Sequence, residues 1–238
     1  MQYSFGKKAL LDAINSHQKV KKVFCAFFDQ TIIKLLQENK IPYEMVSKQW
    51  FNQFDKTLNH QHFAFESEQI FKEINLNTFI KKYNNSQSVI LMLDEIQDPH
   101  NFGAILRSAD AFGVNGVIYK KNNQTNINEL VIKTSMGAIN YLNLISVTNL
   151  NQSIKILQEN GYWVYASALN AKAQIFDQID YPQKTVIIMG NENKGVSPLV
   201  IKNADQQVYI PMSGHVQSLN VSVATGILLS YITRNVKK

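Results

Sequence analysis

The sequence predicts an α/β protein whose larger, C-terminal part contains a parallel, doubly wound sheet. Beyond residue 88, short apolar runs alternate with helical patterns, which is typical of parallel strands covered by helices on both faces. Ligands of such sheets gather at the carboxyl ends of the strands, so the loops that follow them are the candidate site. The predicted strands are Val89–Leu93, Val117–Tyr119, Tyr141–Ile145, Trp163–Ala166, Thr185–Met189 and Gln207–Ile210.

The first 75 residues predict a smaller α/β domain. Its aromatic residues alternate with lysines and could stack on unpaired bases of RNA, but such residues more often form a core, which is the reading we favour. The polar, aperiodic segment Asn75–Ser88 predicts a linker, which gives a domain of residues 1–75, a linker of residues 76–87 and a domain of residues 88–238. We predict helices at Lys7–Asn15, Ile32–Asn39 and Lys48–Leu58, and strands at Val20–Phe28, Pro42–Val46 and His62–Phe65.

Composition restricts the class of protein. With 45% apolar residues the 238-residue chain can bury a core, and a formal charge of +6 favours a polyanionic partner. The longest apolar runs are far shorter than a membrane span, and the amino terminus lacks the apolar region of a signal peptide. The single cysteine excludes an internal disulfide, and the five histidines show no metal-ligand spacing. We therefore expect a cytoplasmic protein without a metal or a membrane partner.

The first motif follows the predicted strand Val89–Leu93 and reads Asp-Pro-His-Asn-Phe-Gly-Ala-Ile-Leu-Arg from residue 98. Asn101 and Arg107 flank the first turns of a predicted helix and could both reach the carboxyl end of that strand. An exposed helix residue is the ordinary reading of Arg107. However, only two of the 24 basic residues are arginines, so an arginine here suggests a need for its planar set of donors.

The second motif, Gly-Asn-Glu-Asn-Lys-Gly from residue 190, ends another apolar strand. Gly190 permits close approach of a ligand to the main chain, and Pro198 favours the start of a helix. Glu192 taken alone is read as an ordinary exposed turn carboxylate. The glycines form neither a dinucleotide-binding Gly-x-Gly-x-x-Gly nor a phosphate-binding loop.

The third motif runs from Ile210 through Pro-Met-Ser-Gly-His-Val-Gln-Ser-Leu-Asn to a final apolar helix. Pro211 ends strand pairing because proline has no N–H group. Ser218 and Asn220 lie where a helix has unpaired N–H groups, so either they only cap the helix or they belong to a site built from backbone.

In this order the three motifs resemble those of the SpoU family of RNA ribose 2'-O-methyltransferases, in the SPOUT superfamily, over about residues 88–236. Tyr3-Ser-Phe-Gly-Lys and Asn59-His-Gln61 resemble the RNA-binding substrate domain of the family's 23S ribosomal RNA guanosine-2'-O-methyltransferases. The resemblance implies a deep trefoil knot, S-adenosylmethionine as methyl donor, and a homodimer whose active site is completed across the interface.

The resemblance also implies roles for individual residues. Arg107 would orient the ribose hydroxyl and stabilise negative charge on it, Asn101 would place the substrate, and Glu192 would fix the loop together with Asn101 or Arg107. Ser218 and Asn220 would hold the third loop and the substrate. Backbone groups near Gly190, Ile210 and Leu219, with Met212 nearby, would hold the cofactor.

Two positions depart from the family pattern. Ser108 replaces the usual threonine, and His62 stands where a glycine commonly follows His-Gln. The resemblance implies methylation of a guanosine in 23S ribosomal RNA. Methylation of transfer RNA and a catalytically silent RNA-binding assembly factor are the alternatives, although the five motif residues together speak against a silent protein.

Overall fold

The computed structural model describes residues 3–15, 19–54, 60–67, 71 and 73–236. Contacts divide the chain into two compact units, residues 1–70 and residues 71–238, and we describe each unit by itself. Among the described residues, no helix has both the length and the apolar character that a membrane span requires.

The first unit is a four-stranded sheet with helices. Its strands lie in the order β1-β4-β2-β3, with β4 antiparallel to both of its neighbours and β3 parallel to β2. Its elements are β1 (Tyr3–Phe5), α1 (Lys7–Asn15), β2 (Val20–Cys25), α2 (Gln30–Glu38), β3 (Tyr43–Met45), a 3₁₀ helix (Lys48–Gln53) and β4 (Phe63–Ser67).

Strand alternation separates two apolar clusters in this unit. Val23 and Cys25 face the cluster that contains Leu10 of α1 and Leu36 of α2, whereas Phe24 faces the cluster around the 3₁₀ helix. The second cluster is aromatic and consists of Phe24, Phe51 and Ala64 with Tyr3, Phe5, Ala26, Val46, Trp50 and Phe54 packed against it.

Two predicted elements of this unit are shorter in the structure. Strand β2 ends at Cys25 rather than at Phe28, because Asp29 caps α2 and the chain must turn to reach it. The predicted helix Lys48–Leu58 is a 3₁₀ helix over Lys48–Gln53, and residues 55–58 of that prediction lie outside the described residues. The predicted aromatic core is present at Trp50, but Phe28 is exposed.

The second unit contains a seven-stranded, wholly parallel sheet in the order β7-β6-β5-β10-β8-β11-β9. The predicted parallel sheet is thereby confirmed. Its strands are β5 (Ser88–Asp94), β6 (Gly116–Lys120), β7 (Leu144–Val147), β8 (Trp163–Ser167), β9 (Gln174–Ile175), β10 (Lys184–Gly190) and β11 (Gln206–Tyr209). Its helices are α3 (Leu76–Lys82), α4 (Pro99–Ala111), α5 (Glu129–Thr134), α6 (Leu150–Glu159), α7 (Pro198–Asn203) and α8 (Val221–Asn235).

Helices cover both faces of this sheet, as a doubly wound architecture requires. Alternate residues of β5 point to opposite sides: Leu91 belongs to the cluster with α4, α5 and α8, and Met92 to the cluster with α3, α6 and α7. Every residue of β5 is buried, which explains why this strand is a continuous apolar run in the sequence.

The segment predicted as a linker, residues 76–87, is not one. Leu76–Lys82 forms α3, whose Leu76, Phe79 and Ile80 are buried against the sheet of the second unit. The predicted strand Tyr141–Ile145 also starts later, at Leu144, because a 3₁₀ turn precedes it.

The glycine of the first motif, Gly103, is explained by helix packing. A Cβ atom at this position would lie 2.5 Å from Cβ of Thr134 and 2.8 Å from the carbonyl oxygen of Val131. Helix α5 therefore packs directly on the backbone of α4, two residues after Asn101. A side chain would force the two helices apart.

We predict that Gly103→Ala destabilises the protein. Alanine is the better helix former by about 1 kcal/mol, but overpacking of this contact costs about 1–3 kcal/mol, so the net change is a loss. Urea denaturation measures it. Gly214→Ala is the matched control, because a Cβ atom there meets nothing within 4 Å. Equal midpoints for both variants and the wild type would contradict the packing argument.

Candidate active site

Three loops at the carboxyl edge of the parallel sheet carry the motif residues. They connect β5 to α4, β10 to α7, and β11 to α8. Strands β5 and β10 are neighbours in register, with Gly190 opposite Asp94, so the first two loops leave the sheet side by side. The candidate site is therefore where the sequence predicts it.

A continuous chain of side-chain hydrogen bonds joins the three loops. Nδ2 of Asn101 donates to Oε1 of Glu192 over 3.1 Å, and Nδ2 of Asn220 donates to Oδ1 of Asn101 over 2.9 Å. Asn101 and Asn220 are 119 residues apart in the sequence. We call this chain, Glu192–Asn101–Asn220, the polar relay.

Chemistry fixes the direction of every bond in the polar relay. An ionised carboxylate only accepts, so Asn101 must turn its amide nitrogen toward Glu192, which leaves its oxygen for Asn220. The oxygen of Asn220 is in turn occupied, because it caps α8 by accepting from the backbone amides of Ser222 and Val223 over 2.8 and 3.4 Å. Each member of the polar relay thus has a single satisfactory orientation.

Glu192 is held by three donors of the first loop. Besides Asn101, the backbone amides of Gln97 and Asp98 donate to it over 3.2 and 3.1 Å. Burial alone would raise the pKa of Glu192. Hydrogen bonds from its own amide, from Asn101 and from the two loop amides outweigh burial and hold the pKa below its ordinary value of 4.5. The carboxylate therefore clamps one loop to another.

Asn101 lies in the first turn of α4, and its side chain points into the protein. It is 9% exposed, and its amide oxygen and nitrogen are both engaged in the polar relay. The cap of α4 is Asp98, whose Oδ1 accepts from the backbone amide of His100 over 2.8 Å. Asn101 is thus in a position to hold the loops together.

Beside the polar relay the second and third loops enclose a cleft of about 420 Å³. This volume lies within the range of about 300–1,000 Å³ of small-molecule sites. All four residues predicted to bind a cofactor line the cleft: Gly190, Ile210, Met212 and Leu219. Glu192 and Ser218 line it as well. The lining combines apolar residues with glycines and polar residues of the second and third loops.

The reason for a glycine at residue 190 differs from the predicted one. A Cβ atom on Gly190 would lie 2.1 Å from the carbonyl carbon of Gly195 and from the nitrogen of Val196. The close approach is therefore made by the chain's own loop, which also pairs Asn191 with Gly195. Gly190 shapes the wall of the cleft by letting the loop fold back on the strand.

Arg107 stands apart from the cleft. It is exposed on α4, it is not among the lining residues, and it makes no hydrogen bond or ion pair with any residue that the structure describes. Helix α4 packs on α8, on which Val223 and Ile227 are 51% and 37% exposed. Its guanidinium is free to bind a group from outside the chain.

Two site residues were not identified from the sequence. Asp94 is 1% exposed, and its carboxylate accepts from the backbone amide of Ser197 over 2.8 Å, which ties the end of β5 to the start of α7. Asn191 donates to the carbonyl oxygen of Glu95 over 2.8 Å and so joins the first two loops a second time. A carboxylate directly after a buried apolar strand was the available signal for Asp94. Within the described residues, no group of three His, Cys, Asp or Glu side chains is arranged to hold a metal ion.

Comparisons with known proteins agree with this geometry. A family model described as the SpoU rRNA Methylase family matches residues 88–230, and one described as RNA 2'-O ribose methyltransferase substrate binding matches residues 3–71. An uncharacterized tRNA/rRNA methyltransferase of Mycoplasma pneumoniae is 44% identical over 231 residues, 95% of each chain.

Two further proteins are similar over most of the chain. A 23S rRNA (guanosine-2'-O-)-methyltransferase of Pseudomonas putida is 36% identical over 202 residues, 84% of this chain and 80% of that protein. The crystal structure of an AdoMet-bound rRNA methyltransferase from Sinorhizobium meliloti is 25% identical, with a TM-score of 0.79 over 99% of this chain and 88% of that one.

We predict that the contribution of Glu192 to stability depends on pH. Its pKa is lower in the folded than in the unfolded protein, so the contribution is complete above about pH 4.5 and is lost as the pH falls through the folded pKa. Free energies of unfolding, measured in urea between about pH 7 and pH 3, should therefore differ most between wild type and Glu192→Gln at the upper end. The difference should shrink toward pH 3. Parallel curves would show that the carboxylate charge does not hold the loops.

Proposed function

This chain belongs to the SpoU rRNA methylase family and is an RNA methyltransferase, and on that premise we propose that it methylates the ribose 2'-oxygen of a guanosine in 23S ribosomal RNA. The observation that carries the choice of RNA is the alignment with the Pseudomonas putida enzyme. At 202 residues it is longer than the second unit, so it extends into the first. The first unit also matches the substrate-binding family model.

S-adenosylmethionine is the methyl donor, and the cleft fits it. The cleft has the volume of a small-molecule site, and its lining of apolar side chains and main-chain groups suits an adenosine. When bound, the cofactor supplies an electrophilic sulfonium methyl group. We assign its retention to Gly190, Ile210, Met212 and Leu219, with Ser218 at the same wall.

The remaining motif residues divide the work on the RNA. A ribose hydroxyl is a weak nucleophile. As its oxygen bonds to the methyl carbon, the bond of that carbon to sulfur would break, a neutral thioether would leave, and the proton of the hydroxyl would pass to water. Arg107 is a poor base because a guanidinium is not deprotonated in proteins. We propose that Arg107 orients the hydroxyl and stabilises the negative charge that develops on its oxygen. Asn101, Glu192 and Asn220 act as positioning residues through the polar relay.

We infer that the active protein is a homodimer. Arg107 is outside the cleft of its own chain, and Val223 and Ile227 are exposed on α8, the helix that packs on α4. Pairing of two chains through α8 would bury these apolar groups and leave Arg107 available to a second chain, which supports a site completed across the interface. The trefoil knot is part of the same proposal, supported by the return of the chain from β11 to pack α8 on α4. The cytoplasmic location stays a prediction.

Transfer RNA is the second candidate substrate, because the Mycoplasma pneumoniae relative is described as a tRNA/rRNA methyltransferase. A silent RNA-binding factor is less well supported, since the cleft and the polar relay are both intact. Binding of S-adenosylmethionine in a calorimeter distinguishes an enzyme from a silent protein.

We predict that cells without this protein lack one ribose methylation at a guanosine of 23S ribosomal RNA. Mapping of ribose methylation in ribosomal and transfer RNA, from cells with and without the gene, measures this directly. Expression of the wild-type protein should restore the mark. Loss of a mark in transfer RNA alone would assign the second substrate, and an unchanged map would contradict the proposed function.

We predict that Arg107→Lys lowers the single-turnover rate about 100-fold, on the order of 2.7 kcal/mol, with unchanged affinity for S-adenosylmethionine. Lysine keeps the charge but loses the planar donors. An arginine with no role in the reaction would leave the rate unchanged.

Subunit mixing tests whether Arg107 acts across the interface. Leu219→Arg obstructs the cleft of the chain that carries it. If Arg107 serves the cleft of the partner chain, a dimer of one Arg107→Ala chain and one Leu219→Arg chain contains one complete site, because the open cleft of the first chain receives Arg107 from the second. Mixing therefore should recover about a quarter of the wild-type rate from two inactive variants. Light scattering should first show that each variant has twice the 27.1 kDa mass of the chain. If mixing restores nothing, Arg107 serves its own chain.

A further inference from the structure

One edge of the first unit's sheet collects loops that the proposed function has not used. Strands β1, β2 and β3 run in the same direction, and β4 runs against them. The loops that follow the first three strands and the turn that precedes β4 therefore meet at the same edge. We call this set of loops the aromatic edge; it comprises residues 6–7, 26–29, 46–48 and 60–62.

Hydrogen bonds between its loops make the aromatic edge a defined surface. The backbone amide of Ala26 donates to the carbonyl oxygen of His62 over 3.1 Å. Asp29 caps α2 and forms an ion pair with Lys7, so its charge is already neutralised. The short segment with Phe27 and Phe28 is thus fixed at both ends.

The turn before β4 has an unusual backbone. Gln61 and His62 have φ angles of 46° and 56°, in the left-handed region that glycine adopts most easily. The positive φ angle at residue 62 explains why a glycine commonly follows His-Gln in the family pattern. In this chain the imidazole of His62 instead packs edge-on against the ring of Phe27, with centroids 5.1 Å apart.

Phe28 is the most exposed large apolar side chain described, at 73%, and Phe27 beside it is 42% exposed. Six rings of the unit pack in its aromatic cluster, whereas none of the described rings packs on Phe28. Water contact of two adjacent phenylalanines on a fixed loop is unfavourable, and such exposed pairs mark interaction sites.

The charge at the aromatic edge identifies the class of partner. Nζ of Lys48 lies 4.7 Å above the ring of Phe27, and Lys7 and Lys8 start α1 at the same edge. The only acid in the four loops is Asp29, which Lys7 holds. Flat rings with cations between them are the features that bind single-stranded nucleic acid, in which bases stack and phosphates need positive charge.

We propose that Phe28 is a stacking platform for an unpaired base of the RNA substrate, with Lys48 contacting a neighbouring phosphate. The proposal rests on the proposed function for the identity of the partner as RNA, and it adds that the recognised element is a loop, bulge or single strand. A double helix keeps its bases stacked on one another and cannot offer one to Phe28.

Binding of a short single-stranded RNA with a central 2-aminopurine to the full-length protein tests the platform. Stacking on a ring quenches this fluorescent base. Phe28→Ala should weaken binding about 5- to 100-fold and abolish the quenching, as for the loss of one base–aromatic stack. Phe28→Tyr, which keeps the ring, should bind within about 2-fold of wild type.

Tyr43→Ala is the matched control. Tyr43 is an aromatic residue of the same sheet, 36% exposed, at the opposite end of β3 from the aromatic edge. Its loss should leave binding unchanged. Phe28→Ala should retain the wild-type circular dichroism spectrum and resistance to proteolysis, which shows that the first unit is folded.

Salt dependence tests the role of Lys48. Lys48→Gln should lower the slope of log affinity against log salt concentration by about 0.7 to 1, as for the loss of one phosphate contact. An unchanged slope would exclude Lys48 from the phosphate contact.

The outcomes separate this inference from the proposed function. If Phe28→Ala binds the probe and methylates ribosomal RNA like wild type, the platform is wrong and the proposed function stands. If the variant binds naked RNA normally but fails only on ribosomal particles, the aromatic edge contacts a protein and the platform is again wrong. If deletion of the gene removes no ribose methylation, but Phe28→Ala still binds the RNA probe more weakly than wild type, the platform stands and the proposed function falls.

Discussion

The negative charge of Glu192 is the constraint on which the rest of the site depends. An ionised carboxylate accepts hydrogen bonds and donates none, so it dictates the orientation of Asn101, and Asn101 dictates that of Asn220. The last of these caps α8, so one charge sets the relative position of three loops and a helix end. Loss of a single member leaves a partly buried polar group without its partner, which costs more than the bond itself contributes.

The polar relay also connects the cleft to the first-motif residues, which lie outside it. The cleft is walled by the second and third loops, whereas Asn101 and Arg107 belong to the first loop and its helix. The polar relay, the bonds from the amides of Gln97 and Asp98 to Glu192, and the bond from Asn191 to Glu95 connect the first loop to the cleft wall. A cofactor that orders the second and third loops therefore affects the position of α4 through these few hydrogen bonds, which makes their geometry part of the chemistry.

Sequence patterns predicted the strands well because buried strands are visible in the sequence as runs of apolar residues. The seven residues of β5 are all buried and therefore apolar, apart from its two end residues. Contacts between distant loops leave no such trace. The sequence did not predict the bond of Asn101 to Asn220, nor that the backbone of Gly195 fills the space beside Gly190. Helix α3 was missed because its buried Leu76, Phe79 and Ile80 are interspersed with asparagine and lysine.

The exposed Phe27–Phe28 pair is a further feature that the sequence pattern did not predict. In the sequence the pair continues an apolar run and was assigned to a strand, but the cap at Asp29 ends the strand early and leaves both rings exposed.

The position of Phe28 has an energetic consequence for a two-unit enzyme. Binding energy from a base stacked on Phe28 is the same before and during methyl transfer, so it governs the affinity for RNA. The charge stabilisation proposed for Arg107 would grow as the 2'-hydroxyl is deprotonated, so it would govern the rate. The two proposals therefore divide selection of the RNA and acceleration of the reaction between different residues in separate units of the chain.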